Sequence, residues 1–198
     1  MLFRSSSNSL FGPGATHPKQ LLLRQTAHGP MVLAADDKII GAELPSSNAF
    51  EENLIRQVVG FLMKHHGFSP KVFVDAGANI GTHLLCALEN GLFARGIGIE
   101  MDAFNYRLLV SNVALNGYLD RTKLINFALS DVANEKTMEL SPDNRGDHRL
   151  RNEQHEQIQR PEAFGESSRA TCKVFSTTLD EIAGGSNDDF NAGTLVWM

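Results

Sequence analysis

Val72-Phe73-Val74-Asp75-Ala76-Gly77-Ala78-Asn79-Ile80-Gly81 reads as a short strand, an acid at its carboxyl end, and a glycine-bearing turn that opens a helix. Three apolar residues in succession suit a strand covered on both faces, because a strand with one wet face alternates. Gly77 and Gly81 permit backbone angles closed to other residues and let main chain approach a ligand. The free N–H groups at the start of the following helix add partial positive charge to the crevice. Asp75 stands at the carboxyl end of a parallel strand, where open α/β sheets bind their ligands.

The same pattern repeats downstream. Ile80, Leu84, Leu85, Leu88 and Leu92 share one face of a helix that Asn90-Gly91 ends. Gly96-Ile97-Gly98-Ile99-Glu100 is a second strand closing on an acid. A second crossover helix follows over 103–115, with Phe104, Leu108 and Leu115 on one stripe and Asn116-Gly117 as its stop. Leu124-Ile125-Asn126-Phe127 forms a third strand, and Thr194-Leu195-Val196-Trp197-Met198 a fourth. Strand–helix–strand–helix–strand implies an α/β, Rossmann-like fold, a partial parallel sheet with helices on both faces. The fourth strand is expected beside the first, giving the order 3-2-1-4. A core strand at the end of the chain, without its return helix, reads as an incomplete domain or fragment.

Around this centre the chain is less regular. Residues 1–28 read as a flexible N-terminal tail with a short helix near 20–25, and 29–198 as the domain. Met31-Val32-Leu33 and Lys38-Ile39-Ile40 suggest a small hairpin, and Pro45-Ser46-Ser47-Asn48 a turn. Leu54, Val58, Phe61 and Leu62 predict a helix over 50–65 that Gly67 stops. Residues from about 141 to 170 form a polar excursion, flanked by stretches at 137–140 and 171–175 that suit antiparallel pairing. Thr178 is placed to cap a short helix.

With 198 residues, 42% of them hydrophobic, the chain buries one core. A net charge of −5 argues against a generic nucleic-acid surface, so no nucleic acid is expected among the partners. No apolar run approaches the roughly 20 residues of a membrane span, and the N-terminus lacks the apolar core of a secretory signal. Cys86 and Cys172 lie far apart with no Cys/His cluster, so no metal is expected and a reducing, cytoplasmic setting fits.

The turn itself excludes two ligand classes. A phosphate-binding P-loop needs a lysine after its last glycine, and Gly81 is followed by Thr82. A nicotinamide loop needs G-x-G-x-x-G, whereas Gly77 to Gly81 is G-x-x-x-G. What remains is an acid on each of two adjacent strands, with Glu100 placed to accept both hydroxyls of a ribose. A ligand with a ribose and no phosphates fits: S-adenosylmethionine.

Phe73-Val74-Asp75-Ala76-Gly77-Ala78-Asn79-Ile80-Gly81-Thr82 resembles the first motif of the FkbM-type class I S-adenosylmethionine-dependent methyltransferases. Ile99-Glu100, Asn112-Val113-Ala114-Leu115-Asn116, Ala128-Leu129-Ser130-Asp131 and Thr178-Leu179-Asp180 resemble later landmarks of that family, in the same order. The resemblance implies S-adenosylmethionine as cofactor and O-methylation of a small-molecule, sugar or lipid hydroxyl. It implies that Asp75, Gly77, Asn79 and Gly81 shape the pocket for the methionine end, that Glu100 holds the ribose, that Met101 packs beside the adenine, and that Asp131 meets the adenine amino group. It names no catalytic base. Two departures stand out. Met101 replaces a frequent proline, and the chain stops before the family's D-x-x-G-x-E-like segment. The alternative is a non-catalytic module that binds S-adenosylmethionine or a nucleoside, or an inactive remnant. Other polar residues have bland readings: His65-His66 as a solvated helix end, His83 as a surface or core residue, and Arg145, Arg149, Arg151 and Arg160 as part of a solvated, charge-balanced loop.

Overall fold

The apolar side chains of Val72-Phe73-Val74 point alternately to the two faces of the sheet, and this decides how the layers stack. In the computed structural model, which describes residues 20–35, 48–89, 91–141, 144–151, 169–184, 190 and 192–198, the elements run as follows. A hairpin of β1 (Leu21–Thr26) and β2 (Gly29–Ala34) precedes α1 (Asn48–His66). Then come β3 (Val72–Ala76), α2 (Thr82–Glu89), β4 (Arg95–Ile99), α3 (Ala103–Leu115) and β5 (Thr122–Ile125). The chain continues through β6 (Ala128–Leu129), β7 (Glu135–Leu140), β8 (Arg149–Leu150), β9 (Ala170–Thr177), α4 (Leu179–Gly184) and β10 (Thr194–Trp197).

The principal sheet is parallel throughout, in the order β10-β3-β4-β5. This is the order expected from the sequence. Phe73 belongs to a core built with Ile55 of α1, Leu84 and Leu88 of α2, and Leu109 and Val113 of α3. Val72 and Val74 face the opposite core, where Ile97 and Ile99 of β4 meet Ile182 of α4. Thr178 caps α4 as its sequence suggests, its Oγ1 accepting from Glu181 N at 3.0 Å. Among the described residues no helix is long and apolar enough to cross a membrane.

Two regions differ from expectation. Leu21–Thr26 is a strand, not a tail with a helical turn. It pairs antiparallel with Gly29–Ala34 and places Met31 and Leu33 in the core. The local leucine run suits either state, and tertiary packing chooses the strand. Met31-Val32-Leu33 is therefore extended as expected, but its partner precedes it. Asn112, wholly buried on α3, fixes the hairpin by behaving like a strand neighbour. Val32 N donates to its Oδ1 at 2.6 Å, and its Nδ2 donates to Val32 O at 3.2 Å and to Ile80 O at 2.9 Å. Asn116 Nδ2 adds a bond to Pro30 O at 2.9 Å, and His28 meets Glu89 at 3.0 Å.

The second region is the polar excursion, part of which is a second sheet in the order β6-β9-β7-β8. Its flanks β7 and β9 pair antiparallel, as their sequences suggest. The expected strand at Lys38-Ile39-Ile40, the turn residues 45–47, Asn90, Arg160 with the rest of 152–168, and the first nineteen residues of the tail lie outside the described residues.

Asn112→Ala should destabilise the protein by about 3 kcal/mol in urea denaturation, since it strands a buried N–H and buried carbonyls. Asn116→Ala, which loses partly buried bonds, should cost less than half as much. Equal losses would show that Asn112 is not the principal clamp.

Candidate functional site

The site forms where β3 and β4 end side by side. Gly77 N and Ala78 N both donate to Ile99 O at 2.9 Å, which latches the turn after β3 onto the end of β4. Glu100 follows at once, its own N–H held by Ile125 O at 3.0 Å. Its carboxylate is 5% exposed, yet each oxygen is met by main chain: Asn79 N donates to Oε2 at 2.8 Å and Asp102 N to Oε1 at 2.7 Å. Burial pushes its pKa from 4.5 to about 7, the two N–H groups hold it back, and the nearby Asp102 and Asp75 charges add to the rise.

The turn residues have separable roles. Asn79 adopts φ of +50°, a left-handed conformation that asparagine tolerates better than most residues. That conformation carries its N–H to Glu100, while its buried Oδ1 has no hydrogen-bond partner among the described residues. Gly77 has φ of +86°, and a Cβ there would meet nothing within 4 Å, so the backbone demands glycine and the space above it stays open. Gly81, at φ of +96°, is a packing glycine: a Cβ would lie 2.7 Å from Leu109 Cδ1. Asp102 caps α3, its Oδ1 accepting from Phe104 N at 3.0 Å and Asn105 N at 2.8 Å.

A cleft of about 280 Å³ opens between this edge and the second sheet. Of the residues singled out from sequence, Gly77, Asn79, Glu100 and Met101 line it. Asp75 lies beneath, 1% exposed, with its Oδ1 4.0 Å from His83 Nδ1. His83 is neither a plain surface nor a plain core residue, since its ring also packs edge-on against Trp197. Asp131 is not brought to the cleft. Its side chain is 86% exposed, 4.0 Å from Lys136, and accepts from Ser130 Oγ, a bond that holds its carboxyl below the usual range. The bend after the short β6 turns it outward.

Four residues to which the sequence reading gave no site role belong to the site. Asn126 Nδ2 donates to Glu100 O at 2.8 Å and Met101 O at 3.3 Å, pinning the chain that carries the acid. A polar residue inside the third apolar run was its signal. Asn105, 2% exposed, lines the cleft and donates through Nδ2 to Arg145 O at 3.1 Å. Arg145 in turn lies over the Phe104 ring at 4.8 Å. His148 also lines the cleft, and Ser141 N donates to its Nδ1 at 3.0 Å. Burial and the nearby Arg145 and Arg169 lower its pKa, against the pull of Asp102 and Asp147.

Arg149 and Arg151 stay partly exposed in a charge-balanced segment, as expected, but each is held by a specific acid. Arg149 and Arg151 grip the buried Glu139 at 3.2 and 3.0 Å, and Arg169, itself buried, binds Asp147. Buried carboxylates demand such partners, a requirement invisible along a linear sequence. Among the described residues no cluster of His, Cys, Asp or Glu is arranged to hold a metal ion.

No protein-family model and no curated protein sequence matches the chain. Solved structures do resemble it. TYW2 from Pyrococcus horikoshii, in complex with MeSAdo, is 22% identical, with 55% of this chain and 36% of that one covered and a TM-score of 0.40. TYW2 from Methanocaldococcus jannaschii, in complex with AdoMet, is 14% identical over 63% of this chain and 67% of that one, with a TM-score of 0.39. A tRNA methyltransferase from Methanocaldococcus jannaschii is 13% identical over 61% of this chain and 36% of that one, with a TM-score of 0.38. The chain thus spans 36% of the length of the first and third. The likeness is one of fold, and the parallel order β10-β3-β4-β5 establishes that fold within the chain itself.

One expectation is corrected. A tRNA methyltransferase stands among the similar structures, so nucleic acid is not excluded as a partner. The exclusion rested on net charge, which sums over the whole surface and says nothing of any one face of it.

Because the folded pKa of Glu100 lies above its unfolded value, its contribution to stability is full below pH 4.5 and is lost as the pH rises through about 7. The ligand-free protein should lose about 3 kcal/mol from this group across that window. Glu100→Gln should flatten the difference in melting behaviour between pH 5 and pH 8, although its amide crowds one of the two N–H donors. A variant that kept the wild-type slope would assign the effect to another group.

Proposed function

We propose that the cleft binds S-adenosylmethionine and that the protein is a class I, FkbM-type methyltransferase. Glu100 carries this reading. A buried carboxylate at the carboxyl edge of a parallel sheet, each oxygen already holding one main-chain N–H, keeps lone pairs for two more donors, the number that a ribose diol offers.

The remaining residues fit the same molecule. The open space above Gly77 admits a chain close to the backbone. The unpartnered Asn79 Oδ1 is an acceptor suited to an ammonium. Met101, Phe127 and Leu129 give the cleft apolar walls for a flat base. When bound, the cofactor supplies an electrophilic methyl group on a sulfonium. The protein's part is to fix that group and to admit an acceptor along the line behind the methyl carbon, where positioning alone accounts for much of the acceleration.

For the acceptor, the motif resemblance implies a hydroxyl on a sugar, lipid or small molecule, which would also need a base to take its proton. An RNA acceptor is the second reading, suggested by the tRNA methyltransferase among the similar structures.

Calorimetric titration should give tighter binding of S-adenosylmethionine and S-adenosylhomocysteine than of NAD, with Glu100→Ala weakening both by about tenfold or more. Affinity should rise with pH through about 7, as the diol hydroxyls prefer the ionised acid. Tighter binding of NAD would overturn the cofactor assignment. Transfer of a labelled methyl group to bulk tRNA, against a panel of hydroxylated small molecules, then separates the two acceptor classes. Binding without transfer to either would favour a non-catalytic module.

A further inference from the structure

The cleft holds a polar pair, Asn105 and His148, that the cofactor assignment above leaves unused. Asn105 sits in the first turn of α3, 2% exposed, and lines the cleft. Its Nδ2 is committed to Arg145 O at 3.1 Å, which fixes the amide's orientation, and its buried Oδ1 has no hydrogen-bond partner among the described residues. A buried acceptor left unmatched is costly, and such atoms mark places where a ligand completes the set. His148 lies beyond the same turn, Arg145–Asp147, and also lines the cleft. Because Ser141 N donates to His148 Nδ1, that nitrogen is the acceptor of a neutral ring and the proton resides on Nε2. One wall therefore offers a fixed acceptor and a fixed donor, next to apolar surface from Met101, Phe127 and Leu150.

We propose that Asn105 and His148 form the base-reading pair of the cleft, with Asn105 Oδ1 accepting from the exocyclic amine of an adenine and His148 Nε2–H donating to the ring nitrogen beside it. This rests on the cofactor reading and makes it specific. Glu100 holds the ribose, and two residues after it the chain enters α3, so a base attached to that ribose lies alongside the helix's first turn. The pair takes over the role that the motif resemblance implied for Asp131, which is exposed and turned away. An amine and a ring acceptor side by side are the signature of adenine. Hypoxanthine presents an oxygen and an N–H at the same two places, and would set oxygen against Oδ1 and N–H against N–H.

The test is the ratio of affinities, measured calorimetrically on the full chain, for S-adenosylhomocysteine and S-inosylhomocysteine. The wild type should prefer the adenosyl compound by about a hundredfold. Asn105→Leu and His148→Leu should each reduce that preference to below about tenfold. A merely structural role for either residue would weaken both ligands together and leave the ratio unmoved. Comparable affinities in the wild type, or an unchanged ratio in both variants, would overturn the pairing alone. The wild-type measurement stands even if Asn105→Leu fails to fold, and His148→Leu provides the second arm. Absence of S-adenosylhomocysteine binding would overturn the cofactor assignment, and this inference with it.

Discussion

A carboxylate taken out of water must be given hydrogen-bond donors, and the architecture around Glu100 answers that demand from main chain alone. One donor is Asn79 N, which reaches Oε2 because the turn after β3 passes through a left-handed residue. The other is Asp102 N, which reaches Oε1 because the chain reverses into α3 within two residues of β4. The same acid thus joins the turn after one strand, the end of the next strand, and the start of the following helix. The bonds of Gly77 and Ala78 to Ile99 O set the turn at the distance this arrangement needs. Desolvation is only partly offset, which is why the acid sits near neutrality rather than fully ionised.

The turn is braced from the other side by residues remote in sequence. Asn112 bonds at once to β2 and to Ile80 O, the carbonyl just before Gly81. Gly81 meanwhile lets Leu109 of α3 close against the turn. The β1–β2 hairpin is therefore mechanically tied to the loop that forms the cleft floor. Asn112 and Asn116 belong to a landmark stretch of the motif resemblance. In the structure both hold backbone, and neither lines the cleft.

What could be read in the sequence was whatever depends on neighbours along the chain. The strand order follows from apolar runs, crossover helices and handedness, and the site's position follows from an acid and a glycine turn at a strand end. The hairpin was not legible because Leu21-Leu22-Leu23 carries no period, and only packing of Met31 and Leu33 against the helices selects the strand. The charge balance of the arginine-rich segment was legible but its specific partners, Glu139 and Asp147, were not, because proximity in space identifies them. Asp131 shared a motif with its family but stands past a bend that turns it to solvent. Net charge misled for a different reason, being an average over surfaces that do not act together.

The segment over 145–151 lines the cleft in part, and its ion pairs explain why a polar segment is used where an apolar one would pack more cheaply. Arg149, Arg151 and Arg169 are each matched to an acid within the protein. Such partly exposed pairs add little net stability, because solvent screening and desolvation cancel most of their attraction. Their geometry is nonetheless specific, since a guanidinium fork accepts few orientations. Glu139, held from two sides, anchors β8 to β7, and Asp147 in the grip of Arg169 anchors the turn before β8. The segment that carries Arg145 and His148 is thereby held against Asn105 by charges that are neutralised locally. The polarity inside the cleft is then left to a few groups, among them the Glu100 carboxylate, the Asn105 amide and the His148 imidazole. An apolar wall would bury comparable surface but would leave Asn105 without the carbonyl that orients its amide.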